Sequence, residues 1–258
     1  MKRTQIERIP IPLPRELERF TEGAKIYDSS SSPQARVYFI DKDGGYYLKT
    51  AEKGELEREA KLTRYFHEKG LSASVLAYVS ADIDFMLTER VRGEDMTHGK
   101  YLAEPKRLCD TLASLLRGLH ETEFSACPVQ DRTVSYLATA EKNCRAGLYD
   151  LSFAPEFATA DAAYAFLQKN AHLLENEVLL HGDYCLPNVM LDGWRFTGFI
   201  DVGNGGVGDR HTDIFWGAWT LNFNLGTDEY RARFIDAYGR DKIDEEKLRV
   251  IAAAEVFG

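Results

Sequence analysis

Residues 178–202 constrain the fold of this chain more than any other stretch. The apolar run Val178-Leu179-Leu180 breaks into a polar loop at His181-Gly182-Asp183, and Asn188-Val189-Met190-Leu191, a turn at Asp192-Gly193 and a second apolar run over 196–202 follow. Short strands, a polar loop and a hairpin thus interrupt a region whose neighbours read as helix. Upstream, Leu108, Leu112, Leu115, Leu116 and Leu119 make one apolar face on a segment that Pro105 can open, and 161–174 and 228–238 are also expected to be helical.

The first ninety residues have a different character. Segments 36–40 and 46–50, rich in aromatic and β-branched residues, flank Asp41-Lys42-Asp43-Gly44-Gly45, which predicts an antiparallel hairpin. Residues 54–69 turn helical, with Leu56, Ala60, Thr63 and Phe66 as the inward stripe and Gly70 as the stop; 75–79 and 85–89 resume strand character, and 24–27 supplies a first strand. The reading is an α+β chain in two parts. Residues 1–90 form a small antiparallel sheet with one key helix, and 91–258 form a larger, mainly helical part.

The polar positions fit phosphoryl transfer from a nucleotide. That chemistry needs a carboxylate to orient the acceptor hydroxyl, a metal held by an amide and a second carboxylate, and a lysine on the phosphates. Asp183 stands five residues before Asn188, the interval of the kinase catalytic loop, and Asp201 ends an apolar strand eighteen residues beyond Asp183. Lys49 ends a strand, and Glu59, beside Ala60 on the inward stripe, is its expected ion-pair partner; Glu55 and Glu57 face elsewhere. Any one of these has a bland reading as an edge lysine, a turn asparagine or a helix cap. Five residue types in this order and spacing do not.

The stretch from His181 to Met190, continued by Gly198-Phe199-Ile200-Asp201-Val202-Gly203 and by 208–213, resembles the aminoglycoside phosphotransferases, in particular the 3′-phosphotransferase branch. Residues 56–59 and 119–128 resemble further family segments. The resemblance implies the two-lobed protein-kinase-like fold shared with choline kinases. It implies Asp183 as catalytic base, Asn188 and Asp201 as Mg²⁺ ligands, Lys49 on the α- and β-phosphates of ATP or GTP, and Glu59 as its partner. Tyr47 would stack on adenine, the backbone from Thr88 to Arg90 would form the hinge, and Ser32 would lie in the loop over the phosphates. Glu255, Glu156 and Gly258 are the acceptor-side candidates. The branch has arginine where Asn204 stands and an acidic pair where this chain has Ala254-Glu255.

Composition narrows the partners. The chain has 258 residues and a net charge of −9; residues 1–89 hold 14 Lys and Arg against 15 Asp and Glu, and 90–258 hold 18 against 26. An acidic surplus in the helical part disfavours nucleic acid and suits a small cationic acceptor such as an amino sugar. No run approaches the ~18 apolar residues of a membrane span, and the N-terminus lacks an apolar leader, so a cytoplasmic protein, monomeric or weakly dimeric, is expected. Cys109, Cys127, Cys144 and Cys185 form no Cys-x-x-Cys pair and are expected as reduced, buried thiols. Gly203-Asn204-Gly205-Gly206-Val207-Gly208 matches a dinucleotide fingerprint, but the helical remainder leaves no strands for a βαβ unit, so these glycines are expected as a flexible activation-segment equivalent. The rivals are a kinase of another polar metabolite such as choline, an amino alcohol or a sugar, and a catalytically weak pseudokinase.

Overall fold

Residues 3–31 and 35–258 are described by a computed structural model of the chain, and Ser32, expected over the phosphates, lies outside the described residues. Two compact units emerge, 1–94 with 190–203 and 95–189 with 204–258.

The first unit begins with Thr4–Ile6 (β1), Arg15–Thr21 (α1), Lys25–Asp28 (β2), Arg36–Asp41 (β3), Tyr46–Glu52 (β4), Glu57–Glu68 (α2), Val75–Ser80 (β5) and Ile83–Glu89 (β6). The strands form one antiparallel sheet in the order β1-β2-β3-β4-β6-β5. The predicted strands and the hairpin at 41–45 are present. β1 and α1 are additional; β1 is three residues long and unburied at its first two positions, too short and too polar to show alternation. Period-two alternation puts Tyr38, Ile40, Leu48 and Leu87 into a core with Ile9, Leu17 and Ile26. Lys49 falls on the other face, opposite Val37 on one side and Met86 on the other. There Met86 packs with Leu56, just before α2, and with Ala60 of α2. The entry of α2 is tied to β6, because buried Asp84 accepts the N–H groups of Gly54 at 2.9 Å and Leu56 at 3.0 Å.

After Glu94–Asp95 (β7), the second unit carries Gly99–Leu102 (α3), Pro105–His120 (α4), Arg132–Arg145 (α5), Ala160–Asn170 (α6) and Val178–Leu180 (β8). The hairpin Val189–Asp192 (β9) and Arg195–Phe199 (β10) follows, then Gly206–Gly208 (β11), His211–Leu225 (α7), Arg231–Tyr238 (α8) and Glu245–Glu255 (α9). The leucine face of α4 is buried at Leu108, Leu112, Leu116 and Leu119. Ala140, Ala163, Ala253 and Ala254 let α5, α6 and α9 approach closely around Leu167, Val250 and Phe257.

A single cut after residue 90 differs from these bounds because 190–203 returns to the first unit: the Phe199 N–H donates to the Leu71 carbonyl at 2.7 Å, and its ring meets Phe66 edge-on at 6.5 Å. The end of the glycine-rich segment is a strand and not an open loop. Gly206, Val207 and Gly208 pair with Leu180, Leu179 and Val178 and are buried, and a β-carbon on Gly208 would stand 2.5 Å from Leu180. These glycines admit a close strand approach. The four thiols are free, but Cys144 is only partly buried.

Candidate active site

In the first unit, β4 and α2 bring Lys49 and Glu59 together as spacing predicts. Lys49 Nζ donates to both Glu59 oxygens at 2.9 and 2.8 Å and to Asp201 Oδ1 at 2.9 Å. Burial alone would lower the lysine, but the carboxylates of Asp201 and Glu59 outweigh it and hold the amine above its usual range, fully protonated. Burial holds the Glu59 carboxyl above its ordinary range, with Lys49 opposing in part and the Asp201 carboxylate adding to the rise. Asp201 is half exposed and has a left-handed backbone, φ 56°, which is uncommon outside glycine and tolerated by aspartate. That conformation ends the strand and is the kind of backbone outlier found at binding sites.

Lys49, Glu59 and Asp201 border a cavity whose other walls include Val37, Tyr47, Met86, Thr88 and Ile200. An apolar slot ending in a lysine and two carboxylates suits a flat base with a polyanionic tail. The Tyr47 ring lies 5.2 Å from Phe39, and its hydroxyl accepts from Arg3 at 2.5 Å. Thr88, Glu89 and Val91 line the cavity. Arg90 does not share this lining; exposed, it contributes its N–H to the Gly45 carbonyl at 3.0 Å.

In the second unit, the loop after β8 is held from beneath by one carboxylate. Asp213, fully buried at the start of α7, accepts the N–H of His181 at 2.7 Å and of Gly182 at 2.8 Å. His120, also buried, bonds the same carboxylate through Nε2 at 3.2 Å and the Tyr238 hydroxyl through Nδ1 at 2.8 Å. Gly182 has φ +83°, and a β-carbon there would lie 1.9 Å from the Asn204 carbonyl oxygen, so no other residue fits. Asn188 then donates through Nδ2 to the Asp183 carboxylate at 2.8 Å and to its carbonyl at 2.9 Å. Thr220 of α7 receives the Leu186 N–H at 3.1 Å. The loop therefore presents a side-chain carboxylate whose orientation is set by an amide and whose backbone has little freedom.

The structure places the acceptor-side candidates differently from one another. Glu255 is buried, and its Oε1 accepts from Tyr136 Oη at 2.8 Å and Trp216 Nε1 at 2.9 Å. Burial pushes its carboxyl up to about 7, with the two hydrogen bonds opposing. Glu156 is exposed and 3.8 Å from Arg249. Gly258 abuts Glu255, whose Oε2 would lie 2.6 Å from a β-carbon. Glu177, Asp209 and His211 also cluster, but each is engaged: Glu177 takes the Arg210 fork, and Asp209 takes His211 Nδ1 at 2.6 Å while His211 Nε2 accepts the Asp244 N–H at 2.9 Å. That cluster braces the fold.

The roles of Asp213, His120 and Thr220 are absent from the sequence reading, although Asp213 and His120 stand inside the segments that carry the resemblance. The signal for Asp213 was its place at a helix start soon after a buried glycine strand.

The model of the phosphotransferase enzyme family (APH) matches residues 26–251. A probable aminoglycoside 3′-phosphotransferase of Lactococcus lactis subsp. lactis (strain IL1403) is 52% identical over 248 residues, 95% of each chain. The chain belongs to the phosphotransferase enzyme family. Members of this family with solved structures share the fold. A type VIII aminoglycoside 3′-phosphotransferase superposes with TM-score 0.73 at 24% identity, covering 92% of this chain and 94% of that one. The enzyme APH(3″)-Id of Streptomyces rimosus, solved with ADP and streptomycin, gives TM-score 0.69 at 23% identity, with coverages of 86% and 91%. This family member is thus a phosphotransferase with the α+β, protein-kinase-like fold.

Proposed function

We propose that this phosphotransferase moves the γ-phosphate of ATP or GTP to a hydroxyl of an aminoglycoside or related amino sugar, a reaction of the antibiotic-resistance type carried out in the cytoplasm. The observation that carries the reading is the Lys49–Glu59–Asp201 ion triad bordering an apolar slot, in a chain 52% identical to a probable aminoglycoside 3′-phosphotransferase.

Tyr47 and Thr88 embrace the base, with the 88–90 backbone as hinge, and Lys49, held by Glu59, contacts the phosphates. Asp183 accepts or orients the proton of the attacking hydroxyl, with Asn188 fixing its carboxylate. The donor set suits Mg²⁺: Asp201 offers a half-exposed carboxylate, and Asn188 commits its Nδ2 to Asp183, so its amide oxygen is the atom that remains to ligate. Each of the two is a candidate ligand, and a bound Mg²⁺ would supply neutralisation of the charge on the transferring phosphates. Glu255, Glu156 and Gly258 stand on the acceptor side.

A coupled nucleotide-turnover assay tests the reading, with purified protein, ATP and GTP in turn, and aminoglycosides, choline and simple sugars as acceptors. Turnover is expected with aminoglycosides; turnover only with choline or neutral sugars would overturn the acceptor assignment, and no turnover with any acceptor would favour a pseudokinase.

A further inference from the structure

Helix α7 carries a feature that phosphoryl transfer does not use. Trp216, Trp219, Thr220 and Phe223 share one face, at helical spacings of three, four and seven. The rings form a continuous band. Trp216 and Trp219 meet edge-on at 5.3 Å, Trp219 and Phe223 stack at 4.9 Å with planes 13° apart, and Phe153 lies 5.6 Å from Trp216 and 6.1 Å from Trp219. An aromatic stripe at this spacing is ordinarily core, but Phe223 is 69% exposed and Trp219 only partly buried.

Within the second unit, one contact ties the helix of this band to the loop bearing Asp183, and another ties the band to α9. Thr220, next to Trp219 in the chain, receives the Leu186 N–H of that loop. Trp216 donates its indole N–H to Glu255, which Tyr136 also holds. The helix that anchors the loop bearing Asp183 therefore also displays the aromatic band. The acceptor proposed above is a polycation, and the faces of Trp and Phe rings attract ammonium groups while their area packs against an apolar ring face.

From this the geometry points to Trp219 and Phe223 as an acceptor platform, on which a protonated amino-sugar ring lies with its C–H face and an ammonium group against the two rings. The platform rests on the aminoglycoside reading and specifies how that acceptor is recognised. It also gives Glu255 a positioning role. Buried, with its Oε1 bonded to Trp216 and Tyr136, Glu255 sets the platform's edge.

The test compares the full chain with its Trp219→Ala, Phe223→Ala and Phe223→Tyr variants, using kanamycin and neomycin as acceptors. The KM for acceptor is expected to rise roughly five- to thirtyfold for each alanine variant, the range of a desolvated cation–π contact, with kcat at saturating acceptor and KM for nucleotide within about twofold of wild type. Phe223→Tyr, which keeps the ring, is expected to retain the wild-type KM. Tryptophan fluorescence, titrated with kanamycin in the absence of nucleotide, is expected to change in the wild type and much less in Trp219→Ala. Unchanged acceptor KM in both alanine variants, with wild-type turnover intact, would overturn the platform and leave the kinase reading standing. The same kinetic result with a lower sedimentation coefficient for Phe223→Ala would assign the band to contact with a second copy of the chain instead. Absence of aminoglycoside turnover by the wild type would remove both proposals together.

Discussion

The two units hold their site carboxylates by opposite means. In the first, Glu59 and Asp201 are both fixed by one charged side chain, Lys49, at the border of an open cavity. In the second, Asp183 is fixed by a neutral amide, and the loop beneath it hangs from a fully buried aspartate through backbone N–H groups. Charge–charge pairing next to water tolerates movement as a polyanion arrives, because each partner keeps some solvent. A loop suspended on a buried carboxylate has less slack, because its donors are shielded from the water that would otherwise replace that carboxylate. The first arrangement suits a site that must exchange partners, the second one that must hold a base still.

The sharpest way to break this comparison is at the base itself. Asp183→Asn keeps the size of the side chain and removes the proton acceptor, so kcat should fall by about 10²- to 10⁴-fold while nucleotide affinity, measured by ADP titration, stays near wild type. Activity near wild type would remove Asp183 from the chemistry.

Next in size is the suspension of the loop. Asp213→Asn turns one of two acceptors toward its donors as an NH₂ group, leaving a buried N–H of His181 or Gly182 unsatisfied. A loss of about 2–4 kcal/mol in unfolding free energy is expected from denaturant titration, together with a fall in kcat, because the loop relaxes. A variant with unchanged stability would show that the loop is held by something else.

Glu255 gives an effect of similar size that appears only as a pH dependence. Its carboxyl is raised from an ordinary 4.5 to about 7, so the folded state binds the proton more tightly than the unfolded state. The stabilisation is therefore full below pH 4.5 and is lost as pH rises to about 7, by about 3 kcal/mol in total. Glu255→Gln, which keeps an acceptor for Tyr136 and Trp216, should flatten this slope: its Tm relative to wild type should increase between pH 5 and 8. A parallel pair of Tm profiles would place the titration elsewhere.

The smallest effect tests the first unit. Lys49→Ala and Glu59→Ala should each impair turnover and be non-additive, with a coupling of about 1–3 kcal/mol in a double-mutant cycle on kcat/KM. Additivity would mean that Lys49 works through Asp201 alone.

The first unit's ion pair was legible because both partners lie ten residues apart on elements whose periodicity is plain: strand alternation isolates Lys49 on one face, and the stripe of Leu56, Ala60 and Thr63 carries Glu59 inward. The same reasoning paired Asp183 with Asn188, which bond within a five-residue interval. It did not find β1, too short for a pattern, or α5, where Ala140 is the one buried helix residue. It did not find the strand at 206–208, since glycine content alone does not distinguish a loop from a strand needing close approach.

Local spacing thus determined the order of elements, the hairpins, the lysine–glutamate pair and the Asp183–Asn188 loop, because hydrogen bonds and periodicity within a few residues are properties of the chain itself. Tertiary structure alone decided the rest. His120 and Asp213 meet across 93 positions, and Trp216 and Glu255 across 39. Whether Glu255 is an open ligand or a buried brace, and whether Trp219 and Phe223 are core or surface, depends on what packs over them. Burial and desolvation are set by the neighbours a residue acquires in space, and spacing along the chain does not name those neighbours.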